Sequence, residues 1–244
     1  MILASTDEGA VVLDPFCGCG TAVAVAQKLK RQWIGIDITH VAVNLVRQRL
    51  QDAFGEISFE VIGEPTTLAD AVELAVEDPY QFQWWILGRV GARAEEKRKG
   101  ADRGIDGRLN FRVGGRPTEH EHAVFSVKSG KTRPEHVREL RGIVERDKAA
   151  IGVLLVLHEP TQAMRAEAAT AGFFTSPWRR HPRIQIRTVE EILDGVGIDI
   201  PIANLSNVTY KRAPLAKTKV RQPELPGLAS AKPRAVRRGK REAS

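Results

Sequence analysis

Leu13-Asp14-Pro15-Phe16-Cys17-Gly18-Cys19-Gly20-Thr21 is the stretch that decides how this chain begins to fold. The apolar β-formers Val11, Val12 and Leu13 lead into it, and a run of small, helix-compatible residues from Thr21 to Lys28 leaves it. Where a strand hands over to a helix through glycines, the backbone can approach a ligand closely. The unpaired N–H groups of the helix start then favour an anionic or carboxylate group. Trp33-Ile34-Gly35-Ile36 reads as a second strand, and Asp37 ends it. In nucleotide-type α/β units an acid at that place accepts hydrogen bonds from ribose hydroxyls. From His40 to Leu50, Val41, Val43, Leu45, Val46 and Leu50 mark an amphipathic helix with Arg47 and Arg49 at its outer end. Strand, helix and strand at this spacing form a βαβ unit with a parallel pair.

The chain has 244 residues, 42% hydrophobic and 27% charged. That is an ordinary globular composition, long enough for one or two domains with a buried core. No apolar run approaches the roughly 18 residues of a membrane-spanning helix. Asp7 and Glu8 stand where a secretory signal would carry base. Cys17 and Cys19 are too few for a disulfide framework and wrongly spaced for a zinc site, and are expected to be small buried residues of the loop. A reducing, cytoplasmic location is the default. The net charge of +7 is concentrated at one end. Residues 211–244 hold eleven Lys/Arg against Glu224 and Glu242, a net +9, which leaves residues 1–210 at −2. The composition predicts a linker and basic tail over 202–244, the basic part from Lys211 on largely disordered, either adding sequence-blind phosphate affinity or simply solubilising the chain.

Between these ends the pattern predicts helices over Leu68–Val76 and Tyr80–Val90, then strands over Arg108–Val113 and Ala123–Lys128. A helix over Pro134–Lys148, an apolar strand over Ile151–Leu157 and a helix over Thr161–Ala171 come next. A strand at Arg183–Arg187 and a short helix at Val189–Leu193 close the region. The expected fold is α/β throughout: a partial Rossmann-like βαβ unit over 1–58, a second α/β domain over 59–201, and the tail.

The first stretch resembles the cofactor motif of amino-DNA-methyltransferases, the N6-adenine/N4-cytosine group. Their Asp-Pro-Phe-x-Gly-x-Gly-Thr is followed by a strand reading Trp-Ile-Gly-Ile-Asp, here Trp33 to Asp37. The resemblance implies S-adenosylmethionine as cofactor. Asp14, Phe16, Gly18 and Gly20 would line its methionine end, Thr21 would start the helix, and Asp37 would hold the ribose. That family also needs a (Asp/Asn/Ser)-Pro-Pro-(Tyr/Phe) motif to grip the amine of a flipped base. Asp78-Pro79-Tyr80 is the nearest match; it lacks the second proline, follows a helical stretch and reads as a decoy. The expectation is a methyltransferase C-terminal part whose base-gripping half is missing or comes from an upstream polypeptide.

In the middle region Gly100-Ala101-Asp102-Arg103-Gly104-Ile105-Asp106-Gly107 precedes Ser126-Val127-Lys128 on the next predicted strand. An acid at the start of one strand and a lysine on its neighbour suit metal-dependent phosphodiester cleavage: the carboxylate holds Mg²⁺, and the lysine orients water and offsets phosphate charge. Together with Glu139-Leu140-Arg141-Gly142 and the strand at 152–157, this resembles the Mrr-like branch of the PD-(D/E)xK restriction endonucleases. The resemblance makes Asp106 the metal-binding acid and Lys128 the catalytic lysine, and puts Ser126 in a slot usually held by Glu, Asp or Gln. Serine is a poor Mg²⁺ ligand, so Asp102, Glu73 or Glu77 would have to complete the shell, or the domain binds DNA without cutting it. Trp84 and Trp85 read as core, and His120 and His122 as a polar loop before a strand. Arg179, Arg180, His181 and Arg183 form a short basic patch, read as a solvated loop ahead of a phosphate contact.

Two functions follow from these readings. One is a DNA-acting restriction–modification protein that joins a methyltransferase portion to a metal-dependent endonuclease-like domain. The other is a non-catalytic DNA-binding or regulatory subunit derived from both.

Overall fold

β1 (Val11–Asp14) and β2 (Gln32–Gly35) lie side by side in parallel, Leu13 opposite Ile34 and Asp14 opposite Gly35. The computed structural model describes residues 1–95, 104–113 and 120–201. A short turn of helix, α1 (Ile2–Ser5), precedes β1, and α2 (Thr21–Lys28) joins the two strands as expected. α3 (His40–Phe54) follows, one turn longer than its apolar pattern suggests, with Thr39 Oγ1 accepting from the Ala42 N–H at 3.2 Å as its N-cap. One face of this two-stranded sheet is covered: Trp33 packs with Cys17, Val23, Val46 and Leu50 of α2, α3 and the corner. On the other face Val11, Leu13, Ile34 and Ile36 are each more than half exposed.

The second region is built on a five-stranded mixed sheet in the order β3 (Arg93–Ala94), β4 (Gly107–Arg112), β5 (His120–Lys128), β6 (Ile151–Val156), β9 (Ile184–Thr188). The β3–β4–β5 pairs are antiparallel and the β5–β6–β9 pairs parallel. β6 is buried at every residue, as a central strand covered on both faces must be. Leu109, Phe111, Ala123, Phe125, Val153 and Leu155 face α4 (Leu68–Glu77) and α5 (Pro79–Arg89). Val124, Leu154, Val156, Ile184 and Ile186 face α6 (Pro134–Arg146) and α7 (Gln162–Thr170). The result is helix, sheet, helix in three layers. The antiparallel pair β7 (Phe173–Thr175) and β8 (Arg180–Pro182) and the short α8 (Val189–Leu193) complete it.

The two regions belong to one compact unit, Met1–Lys211. α3 meets α5 directly: Asn44 Nδ2 donates to the Trp84 carbonyl at 2.8 Å, and Gln81 Oε1 accepts from the His40 N–H at 3.0 Å. Arg47, expected at an outer helix end, is instead held by both carboxylate oxygens of Glu64, at 3.0 and 2.9 Å. Trp85 is buried in the core as expected. Asp78 caps α5, accepting from the Tyr80 and Gln81 N–H groups at 2.9 and 3.1 Å with Pro79 in the first turn, so Asp78-Pro79-Tyr80 is a helix start. Asp102, Arg103 and the basic tail lie outside the described residues. Among the described residues no helix is long and apolar enough to cross a membrane.

Candidate functional site

The first βα corner closes on itself through a carboxylate. Asp37 Oδ2 accepts from the Gly18 N–H at 2.9 Å, and Oδ1 accepts from the Thr39 N–H and hydroxyl, both at 3.0 Å. Burial opposes its ionisation, but these hydrogen bonds outweigh burial and hold the carboxyl below its ordinary range. Asp14 ends β1 and its Oδ1 accepts from the Phe16 N–H at 3.2 Å, turning the chain out so that Phe16 stands 88% exposed.

Gly20 is required twice over. Its φ of +73° lies in the left-handed region, and a Cβ there would stand 2.7 Å from Val46 Cγ2. Gly20 is the N-cap of α2 and offers no side chain to the first turn. The orphan amides of that turn therefore still need acceptors. The Thr21 hydroxyl, the first of the helix, accepts from Arg49 Nη1 at 3.0 Å and lies 3.4 Å from Cys19 Sγ. Cys17 is buried, and burial followed by the charges of Asp37 and Asp14 raises its thiol above the ordinary value. Cys19, expected to be buried, is exposed, and its contact with the Thr21 hydroxyl lowers its thiol.

The sequence reading therefore brings Asp14, Phe16, Gly18, Gly20, Thr21 and Asp37 to one corner, and it misses two partners. Thr39 was legible as a helix cap two residues after the acid. Arg49 reaches Thr21 from 28 residues away, and no local signal announces that. Two clefts lie away from the corner: one of about 390 Å³ between α3 and the 59–66 segment, lined by Arg47, Gln51, Glu64 and Arg89 among others, and a neighbour of about 300 Å³ between α3 and α5 that shares Arg47, Gln51 and Arg89.

The second constellation is only partly assembled. Asp106 sits in the ladder itself: its N–H donates to the Phe125 carbonyl at 2.8 Å, its carbonyl accepts from the Glu95 N–H, and its Oδ2 accepts from the Val127 N–H at 2.8 Å. Ser126 and Lys128 alternate with Val127 on β5, so they share the face of Val124, toward α6. Ser126 is 5% exposed. α4 packs on the opposite face, through Ala71 and Ala75, so its acids Glu73 and Glu77 do not complete a metal shell beside Ser126. Among the described residues no three His, Cys, Asp or Glu side chains gather to hold a metal ion. Among the described residues a single carboxylate, a buried serine and a lysine do not make a shell for a divalent cation, and the expected Mg²⁺ at Asp106 is not supported. His120 and His122 belong to β5 rather than to a loop; burial and then the Arg108 charge lower His122.

Comparison with known proteins finds two separate family matches along the chain. Residues 1–48 match the family described as DNA methylase of the N6/N4 type, and residues 79–194 match the family described as NACHT-associated inactive Restriction Endonuclease 1. Curated relatives include the type II methyltransferase M.HpaI of Haemophilus parainfluenzae, 37% identical over 100 residues, which cover 39% of this chain and 31% of that protein. M2.DpnII of Streptococcus pneumoniae is 49% identical over 51 residues, 21% of this chain and 19% of that one. M.BamHI of Bacillus amyloliquefaciens is 44% identical over 52 residues, 21% of this chain and 12% of the relative. The chain thus spans less than a third of the length of these methyltransferases. No solved structure matches it. An Mrr-like identity for the second region finds no support beyond the broader likeness to a restriction endonuclease.

Proposed function

We propose that residues 1–58 form the cofactor-binding end of an S-adenosylmethionine-dependent DNA amino-methyltransferase of restriction–modification type. In this reading residues 59–201 are a nuclease-derived domain that does not cleave. The observation that carries the first half is the Gly18–Asp37 hydrogen bond across a corner whose helix start is uncapped by any side chain. Such a corner offers backbone donors to a carboxylate, and Asp37 Oδ2, with one N–H bond made, retains acceptor capacity for a ribose hydroxyl. S-adenosylmethionine would supply an electrophilic methyl group on a sulfonium centre. Asp14, Phe16, Gly18 and Gly20 would hold its methionine end. Base selection falls to a segment carrying an Asp-Pro-Pro-Tyr-type motif, which no stretch of these 244 residues supplies.

Ser126 carries the second half. A buried hydroxyl in the slot of a metal-binding acid, with no cluster of three metal-ligating side chains among the described residues, leaves phosphodiester hydrolysis without a divalent-ion site there. DNA binding does not need that ion.

Calorimetric titration with S-adenosylmethionine tests the reading. The wild-type chain is expected to bind, and Asp37→Ala to weaken binding at least about tenfold, or 1.4 kcal/mol. Equal affinity in the two proteins would remove the methyltransferase half.

A further inference from the structure

The β7–β8 hairpin presents a surface that neither the corner nor the five-stranded sheet uses. Phe173 pairs with Pro182, Phe174 with His181 and Thr175 with Arg180, and alternation sorts their side chains. Phe174 and His181 point inward: Phe174 meets Phe111 edge-on at 6.2 Å between ring centroids, and His181 is 1% exposed. Phe173, Thr175 and Arg180 are exposed, as are Pro177, Trp178 and Arg179 at the turn. Phe173 is 53% and Trp178 57% exposed, and the Arg180 guanidinium carbon sits 4.3 Å from the Phe173 ring centroid. Residues 176–183 carry three arginines and no acid. Exposed aromatic faces set among arginines are the composition with which proteins stack bases and track a phosphate backbone.

A buried clasp holds this turn. His181 Nδ1 lies 2.7 Å from Asp199 Oδ1 and its Nε2 3.1 Å from Ser176 Oγ. The Ser176 hydroxyl donates to the Arg179 carbonyl at 2.9 Å and accepts from the Arg179 N–H at 3.2 Å, while Arg179 Nη2 donates to Asp199 at 2.6 Å. Serine, histidine and aspartate are linked here in the order of a hydrolase triad. The serine, however, is buried and committed to its own turn, so the group fastens the hairpin and does not attack substrate. A turn fixed in advance lowers the ordering cost of binding through Trp178.

We propose that this hairpin binds single-stranded DNA, with bases stacked on Trp178 and Phe173 and with Arg180 toward the phosphates. The strand is single because stacking on an aromatic side chain needs an unpaired base face. The choice of DNA rests on the functional reading above.

The test follows tryptophan emission of the full chain on titration with a short oligothymidylate, with binding measured in parallel by anisotropy of the labelled strand. Saturable quenching is expected and is lost in Trp178→Phe, although Trp33, Trp84 and Trp85 remain. Trp178→Ala and Arg180→Glu are expected to weaken binding about five- to tenfold each; both residues are exposed, so folding is not at stake. The same sequence as a duplex quenches less. Quenching that survives in Trp178→Phe, or unchanged affinity in Trp178→Ala and Arg180→Glu, overturns the proposal. So does equal quenching by the duplex, and stronger quenching by oligouridylate overturns the assignment to DNA. The titration contains no S-adenosylmethionine, so a failure of the cofactor reading leaves the quenching and its loss in Trp178→Phe unchanged and is distinguishable from a failure of this proposal.

Discussion

At the scale of single residues, the corner is held by one glycine and one carboxylate. Gly20→Ala puts a Cβ into the left-handed region and against Val46. About 2–4 kcal/mol of stability is expected to go, read from the denaturant midpoint at constant slope. Asp37 ionises at lower pH in the folded chain than in the unfolded one. Its contribution is therefore complete above the ordinary carboxylate range, near about pH 4, and is lost as pH falls through the lowered folded value. A difference in melting temperature between wild type and Asp37→Asn is expected to be constant from neutral pH to about pH 5 and to shrink in acid below that range. A difference that instead grows on acidification would mean that the hydrogen bonds from Gly18 and Thr39 do not set its ionisation.

At the scale of elements, α3 and α5 join the two regions through a close approach at Gly88. A Cβ there would fall 2.0 Å from Asn44 Nδ2, the same amide that donates to the Trp84 carbonyl. Gly88→Ala is expected to cost about 1–3 kcal/mol, and adding Asn44→Ala to recover part of that loss, because the clash and the hydrogen bond share one side chain. Strict additivity in a double-mutant cycle would place the strain elsewhere. His181→Ala leaves Ser176 and Asp199 without their shared partner, and thermal unfolding is expected to show a loss of about 2–4 kcal/mol.

These elements also show what could be read from sequence. The corner, α2, α3 and the β4–β5–α6–β6 run were legible because each carries a full period of apolar residues or a glycine that permits one backbone shape. β3, β7 and β8 span only two or three residues, too few for any period, so Arg179–Arg183 read as a basic loop instead of a hairpin edge. The Arg47–Glu64 pair, the His181 clasp and the Arg49–Thr21 bond join distant stretches. Only the folded chain brings them together.

At the scale of the whole molecule, a two-stranded parallel pair with one apolar face open is too small to stand alone, and α3 leaning on α5 ties it to a five-stranded sheet with two covered faces. In our reading the second region supplies bulk and DNA contacts without metal chemistry. Plasmid incubated with the full chain and Mg²⁺ is expected to stay supercoiled, and Asp106→Ala and Lys128→Ala to behave alike. Nicking that both substitutions abolish would restore the hydrolytic role that Ser126 argues against.

The central claim is that the first corner holds the methyl donor. Amide shift mapping of isotope-labelled protein during titration with S-adenosylmethionine tests it most directly. The largest shifts are expected at Gly18, Gly20 and Thr21, and are expected to disappear in Asp37→Ala. Shifts centred on the Arg47–Arg89 cleft, with the corner unmoved, would contradict it.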